Sequence, residues 1–412
     1  MTKNFDIRLR CAAIALIVTA PCLWPREGVA GMDGLTPQRA GDVVVTYVEL
    51  GRTADSIQTV TIREADASSI KVHFGDVDLA DGVTVTVADP DGLTSHSYPG
   101  AGSTSDQGSG FWALSVLGDT AVITMEGTAS GLMDSSLVID MYAWGYPLDP
   151  LYGPPLETVC GTDDRLDVVC YEQSHPIEFA QASASAHVRI TTPQGTFVCT
   201  GWRVGEGPHM ITNEHCVTSQ ADLDSTEFWF NWQRLNCGAG GSGPITIVGG
   251  DDFLVDSYVL DFALVTIDNP AAVEEFGFLE LDVRTPELGE EIYIPGHPDG
   301  TLKRYALESD VNAGGLCVID DAIRNGRGTN TDTGYFCDSS GGQSGSPVLA
   351  RSTRKVIALH HFGTGTTPCG GNVMNAGVRI DRIWPLVESY LGPMFEDGFE
   401  TGDASHWSST VP

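Results

Sequence analysis

Basic residues are scarce in this 412-residue chain: 22 lysines and arginines stand against 55 aspartates and glutamates, for a formal net charge of −33. So acidic a field repels phosphate backbones and anionic lipid, so nucleic acid is not an expected partner; its ordinary meaning is solubility. Long apolar runs are also few. The one at the start, "CAAIALIVTAPCLW" from Cys11 to Trp24, follows Lys3, Arg8 and Arg10 and is interrupted by Pro21. It falls short of the roughly 20 residues that cross a bilayer, so no membrane span is expected. With the small residues ending at Ala30 it reads instead as a signal peptide over residues 1–30, which predicts a secreted, extracellular protein. Cysteine is absent between Cys22 and Cys160. The eight that follow, Cys160, Cys170, Cys199, Cys216, Cys237, Cys317, Cys337 and Cys369, form an even set in an exported chain and read as disulfide partners. No HExxH occurs, and "GPHMITNEHC" spaces its histidines wrongly for one helical face, so no metal and no cofactor are expected.

What is present is strand. Residues 31–144 alternate apolar and polar side chains, as in Ile70, Val72 and Phe74, Val83, Val85 and Val87, or Leu137, Ile139 and Met141. That two-residue period predicts half-buried strands, and turn signals such as "DPDG" between them predict a β-sandwich-like N-terminal domain, a pro- or accessory domain. The acidic "DVDLADG" in it has its third acid one position off a helix–loop–helix calcium loop and reads as a solvated turn. Four prolines in "GYPLDPLYGPPL" make residues 145–156 an extended linker. Residues 157–392 are again mostly strand, closed by one predicted helix, "IDRIWPLVESYL", with Asp381 as its cap and Pro385 in the first turn. The acidic, glycine-rich stretch 393–412 reads as a tail with a sorting or surface-attachment role. The fold class is all-β.

Chemistry gathers at three places in the second domain. "CDSSGGQSGSPV" holds Ser344 among glycines that permit positive φ, so the N–H groups of Gly342 and Ser344 can point at one spot and serve an oxyanion. A serine hydroxyl attacks only with a base beside it, and that base must be held in one tautomer by a carboxylate. His215 in "MITNEHCVTS" is the candidate base. Asp261, just before the apolar run "FALVTI", is the candidate carboxylate; Asp251, Asp252 and Asp256 sit in its more polar approach. The order His, Asp, Ser excludes the esterase elbow, and Gly342-Gln343-Ser344-Gly345-Ser346 does not match G-x-S-x-G.

Together "CTGWRV", "TNEHC", "DFALV" and "GGQSGSPV" resemble the trypsin-like serine endopeptidases, most closely the bacterial branch of lysyl and glutamyl endopeptidases; "GHPDGTLKR" is similar to the lysyl enzymes. The resemblance covers about residues 157–392. It implies two six-stranded antiparallel barrels, a triad of His215, Asp261 and Ser344, and protein or peptide substrates; the chain is expected to be a monomer. It also implies the pairs Cys160–Cys369, Cys170–Cys237 and Cys199–Cys216, which leaves Cys317 for Cys337.

For the residue before the cut, the resemblance offers two readings. Asp338 occupies the position of the pocket acid that receives lysine or arginine, while His360 occupies a wall position at which glutamyl enzymes meet acidic side chains. The preceding Gln343 is neutral, so no activating ion pair to a freed N-terminus can form there. His361 reads as an ordinary neighbour of His360.

Overall fold

The computed structural model describes residues 36–100, 110–147, 158–363, 369–370 and 373–392. The expected signal peptide, most of the linker and the acidic tail lie outside the described residues.

The alternating stretches of the first part become nine strands: β1 (Gln38–Gly51), β2 (Ile57–Arg63), β3 (Ser69–Asp78), β4 (Thr84–Ala88), β5 (Ser95–Pro99), β6 (Phe111–Trp112), β7 (Val116–Leu117), β8 (Thr120–Glu126) and β9 (Ser136–Gly145). One sheet runs β1-β9-β3-β6, with β7 also on β3; the second runs β2-β8-β4-β5. Because side chains alternate across a strand, Ile70, Val72 and Phe74 of one sheet meet Val85, Val87, Ile123 and Met125 of the other in a dry core. Each such side chain stabilises the fold by about 1.5–3 kcal/mol when fully buried.

The second part supplies β10 (Leu166–Asp167), β11 (Ser185–Thr192), β12 (Gly195–Arg203), β13 (His209–Thr212), β14 (Thr226–Phe230), β15 (Arg234–Asn236), β16 (Ala239–Ser242), β17 (Thr246–Ser257) and β18 (Phe262–Ile267). Six of them close a barrel in the order β11-β14-β17-β18-β13-β12, with β12 pairing back onto β11. The remaining strands, β19 (Ile292–Gly296), β20 (Arg304–Ala306), β21 (Asp321–Arg324), β22 (Asp332–Tyr335), β23 (Pro347–Ala350), β24 (Val356–Gly363) and β25 (Asn375–Arg379), form a sheet β10-β20-β19-β23-β24-β25-β22-β21. This second body is not a plain six-stranded ring. The segment before β21 folds back onto the other side of the sheet, bridging Leu316 to Glu308 beyond β20 and Val318 to Glu291 before β19. Between the two bodies, Trp202, Ile211 and Leu264 pack with Tyr293, Tyr305, Leu349 and Leu359 in one core, which fixes the crevice where their loops meet.

The predicted helix forms over Ile380–Leu391 and buries Ile380, Ile383 and Val387. Its cap position is Arg379, not Asp381, which lies in the first turn and takes the Arg379 guanidinium at 2.9 Å. Pro385 therefore falls beyond the first turn, inside the helix. One pairing was not expected from periodicity: Gln38, Arg39 and Gly41 of β1 align with Val198, Phe197 and Thr196 of β12, so the N-terminal sheet continues into the first barrel.

Candidate active site

His215 stands in the turn that follows β13, and Asp261 occupies the residue just before β18, at φ +44°. The paired strands β13 and β18 bring the two ends together. The Asp261 carboxylate accepts from His215 Nδ1 at 2.9 Å through Oδ2 and from the His215 backbone N–H at 3.0 Å through Oδ1, while Asn213 Nδ2 donates to the Asp261 carbonyl at 2.7 Å. With Nδ1 committed, Nε2 is the ring nitrogen left to take a proton. Asp261 is fully buried. Burial alone would raise its carboxyl, but His215 and His361 overcome this and hold it far below the ordinary carboxylate range.

His361 is more than a neighbour. Its Nδ1 lies 3.1 Å from Asp261 Oδ2 and its Nε2 2.7 Å from Asp332 Oδ2, with all three side chains buried. Burial opposes its charge, yet the two carboxylates prevail and push the imidazole up to about 9. Arg327 adds a second cation, 3.3 Å from Asp261 Oδ1 and 2.9 Å from Glu214 Oε2, with its guanidinium over the Tyr258 ring.

The loop of Ser344 is held by β12. Thr200 N–H donates to the Ser344 carbonyl at 2.8 Å, and Thr200 Oγ1 donates to the Gly342 carbonyl at 2.9 Å. Thr200 follows Cys199, whose disulfide partner Cys216 follows His215, so a single strand ties the loop of Ser344 to the turn of His215. Gly342 has φ +96°, and a Cβ there would meet the His297 carbonyl at 2.6 Å; at Gly345, φ +88°, it would run into the Thr200 carbonyl. Only glycine fits either place. Both sulfurs and a His215 ring nitrogen lie within 4.8 Å of one another, but the disulfide takes the sulfurs and leaves no metal set.

Asp338 does not face outward. Its oxygens accept from the backbone N–H groups of Cys160 at 2.6 Å and Asp164 at 2.7 Å. Burial pushes this carboxyl up to about 6, against the pull of those amides and of Arg165. Arg165 NH1 also donates to Ser340 Oγ at 2.6 Å and to Gln343 Oε1 at 2.8 Å, so residues 160–165 brace the loop from within. His360 is buried, with Nδ1 2.6 Å from the Tyr335 hydroxyl and Nε2 2.7 Å from Ser339 Oγ. The eight cysteines pair as Cys160–Cys369, Cys170–Cys237, Cys199–Cys216 and Cys317–Cys337, with Cα separations of 5.2, 4.8, 6.4 and 5.2 Å. Four disulfides suit a protein that matures outside the reducing cytosol.

Two β-bodies, with a buried His–Asp pair and a glycine-shaped serine loop where they meet, give a fold similar to that of the chymotrypsin-like serine proteases. A model of the lysyl endopeptidase C-terminal domain matches residues 162–377, and the chain belongs to that family. Among curated proteins, secreted RxLR effector protein 73 of Plasmopara viticola is 31% identical over 313 residues, which cover 72% of this chain and 75% of that one. Uncharacterized protein y4fB of Sinorhizobium fredii is 27% identical over 199 residues, or 45% of this chain and 29% of that one. Similar solved structures include a serine endoprotease from Yersinia pestis, at 14% identity and TM-score 0.38, covering 51% of this chain and 65% of that one. A Glu endopeptidase is matched at 17% identity and TM-score 0.39, covering 57% and 98%.

Proposed function

We propose that the chain is a secreted serine endopeptidase that works through an acyl-enzyme on Ser344. In this reading residues 31–144 form an accessory module, 145–156 a linker and 157–392 the peptidase. The Ser344 hydroxyl attacks the scissile carbonyl as its proton passes to His215 Nε2. Asp261 holds the imidazole in the tautomer that leaves Nε2 bare and stabilises the imidazolium. The tetrahedral oxyanion is received by the N–H groups of Gly342 and Ser344, where losing one donor typically costs about 100- to 1,000-fold in rate. The imidazolium then gives its proton to the leaving amine, and water releases the acyl group by the same steps in reverse. The observation that carries the reading is the double hold of Asp261 on His215, on a turn cross-linked to the strand that binds the Ser344 loop. Four disulfides and the relationship to a secreted effector support export. A fluorophosphonate probe is expected to label wild-type protein and not Ser344→Ala; no labelling of wild type, with the linker intact or cut, rejects the reading.

For the pocket, lysine or arginine is the preference that family membership supports. A second reading, acidic residues, draws on one specific contrast. Asp338 is bound by two fixed backbone N–H groups that a substrate cation would not displace, whereas His360 Nε2 is bound by the rotatable hydroxyl of Ser339. An imidazole and a hydroxyl that can turn toward a ligand suit a carboxylate. Cleavage of a peptide library, read for the residue before the cut, separates the two.

A further inference from the structure

The two-residue period that buries Ile70, Val72 and Phe74 turns Lys71 to the opposite face of β3, where solvent would be expected. It meets the first barrel instead. Lys71 Nζ donates to the Ser225 carbonyl at 2.7 Å and lies 3.4 Å from Glu227 Oε1, with Lys71 5% exposed and Glu227 wholly buried. Ser115 adds its backbone N–H to Glu227 Oε1 at 2.6 Å and its hydroxyl to Oε2 at 2.8 Å. The barrel itself supplies Trp229 Nε1, at 2.9 Å. Three of these four partners of the carboxylate thus come from the N-terminal sandwich. Burial alone would raise the Glu227 carboxyl, yet Lys71, Trp229, Arg189 and Ser115 together hold it low, as a charged acceptor.

The same face carries more. Arg189 of β11 donates to Ser69 Oγ at 3.1 Å and lies over the Trp229 ring. Leu117 packs on the apolar cluster of Trp229, Trp232 and Leu302. At the far end β1 covers the edge of β12 over Thr196–Val198, and Gln38 lies so near Gly341 of the nucleophile loop that a Cβ there would be 2.6 Å from Gln38 Oε1. Here, removal would take Leu117 off the tryptophan cluster, leave an open strand edge and strip a buried carboxylate of its cation, and breaking a buried ion pair is strongly destabilising.

We propose that the N-terminal sandwich is a permanent part of the working protein, and that it stays bound to the first barrel through Lys71, Ser115 and Glu227 after the chain between them is cut. This rests on the endopeptidase reading only in calling the working protein an enzyme; retention of the sandwich rests on the interface alone. To test it, a specific protease site is placed within residues 148–157 of the full chain carrying Ser344→Ala, so that the engineered cut is the only one. After cleavage both fragments are expected to elute together at the size of the intact chain on native sizing and to separate only in denaturant. A folded, monodisperse peptidase fragment eluting alone would overturn the proposal. Ser115→Ala and Lys71→Met are each expected to raise the dissociated fraction at least tenfold on dilution; a milder and a harsher variant guard against loss of folding. Unchanged dissociation in both overturns the interface as assigned. Fluorophosphonate labelling of the cut wild type is read separately: its absence counts against the peptidase reading, while sizing still decides retention.

Discussion

His361 holds Asp261 from behind, Nδ1 to Oδ2 at 3.1 Å, on the same carboxylate oxygen that takes His215 Nδ1 at 2.9 Å. The Asp332 carboxylate pins the other ring nitrogen, so Asp261 is oriented from two sides before any substrate arrives. Replacing His361 by Gln is expected to lower kcat by about 10- to 100-fold through misorientation of the Asp–His pair, with KM little changed. Steady-state kinetics on a chromogenic ester and a peptide check this; a variant with wild-type kcat contradicts it.

The same contact makes stability depend on pH in a defined window. The imidazole is pushed from 6.5 to about 9 in the folded protein, so the native state binds a proton more tightly than the unfolded chain. Its contribution is complete below about pH 6.5 and is lost as pH rises through about 9, with a full size on the order of 3 kcal/mol. The melting-temperature difference between wild type and His361→Gln should therefore be largest at pH 6 and shrink toward pH 9. A difference that grows with pH would rule out a charged His361.

Much of this was legible in the chain and some was not, for reasons that lie in particular residues. The alternation at Val83, Val85 and Val87 and the glycines around Ser344 announce strands and a nucleophile loop because local sterics set both. His361 reads as an ordinary neighbour because it adjoins His360 in one strand, and the register shift between His360 and Phe362 that helps decide which ring meets which partner comes from pairing with β25. Arg327 arrives from a loop far along the chain, and Asp338 is claimed by amides 174 and 178 residues away. Lys71 reads as a surface lysine until a second body covers it. In each case the missing information is tertiary: a short-range pattern fixes which way a side chain points, and only the fold decides what stands there.

Asp338 supplies a discriminating variant. If it anchors residues 160–164, Asp338→Asn should destabilise the fold by about 1–3 kcal/mol, since one buried amide loses its acceptor. The residue preferred before the cut should not change. Denaturant unfolding and a peptide library report the two separately, and a switch in preference with unchanged stability would return Asp338 to the pocket. His360→Ala is expected to do the reverse and alter the preference.

Gln343 stands where an acid would be needed to capture a freed N-terminus, and its side-chain oxygen accepts at 2.8 Å from an Arg165 nitrogen that also donates to Ser340 Oγ at 2.6 Å. The Arg165 guanidinium is buried and further fixed by Asp163 at 2.8 Å. The loop is therefore braced by a residue already in the chain, and no new terminus is needed to shape it. Arg165→Met keeps the apolar stem and removes the donors, which leaves the Gln343 carbonyl and the Ser340 hydroxyl buried without that partner. The expected result is a fall in kcat of about 10- to 100-fold, as the N–H groups of Gly342 and Ser344 lose their alignment. Fluorophosphonate labelling should slow by a similar factor, because the probe needs the same oxyanion site. Equal labelling rates for wild type and Arg165→Met would show that the loop keeps its shape without the brace.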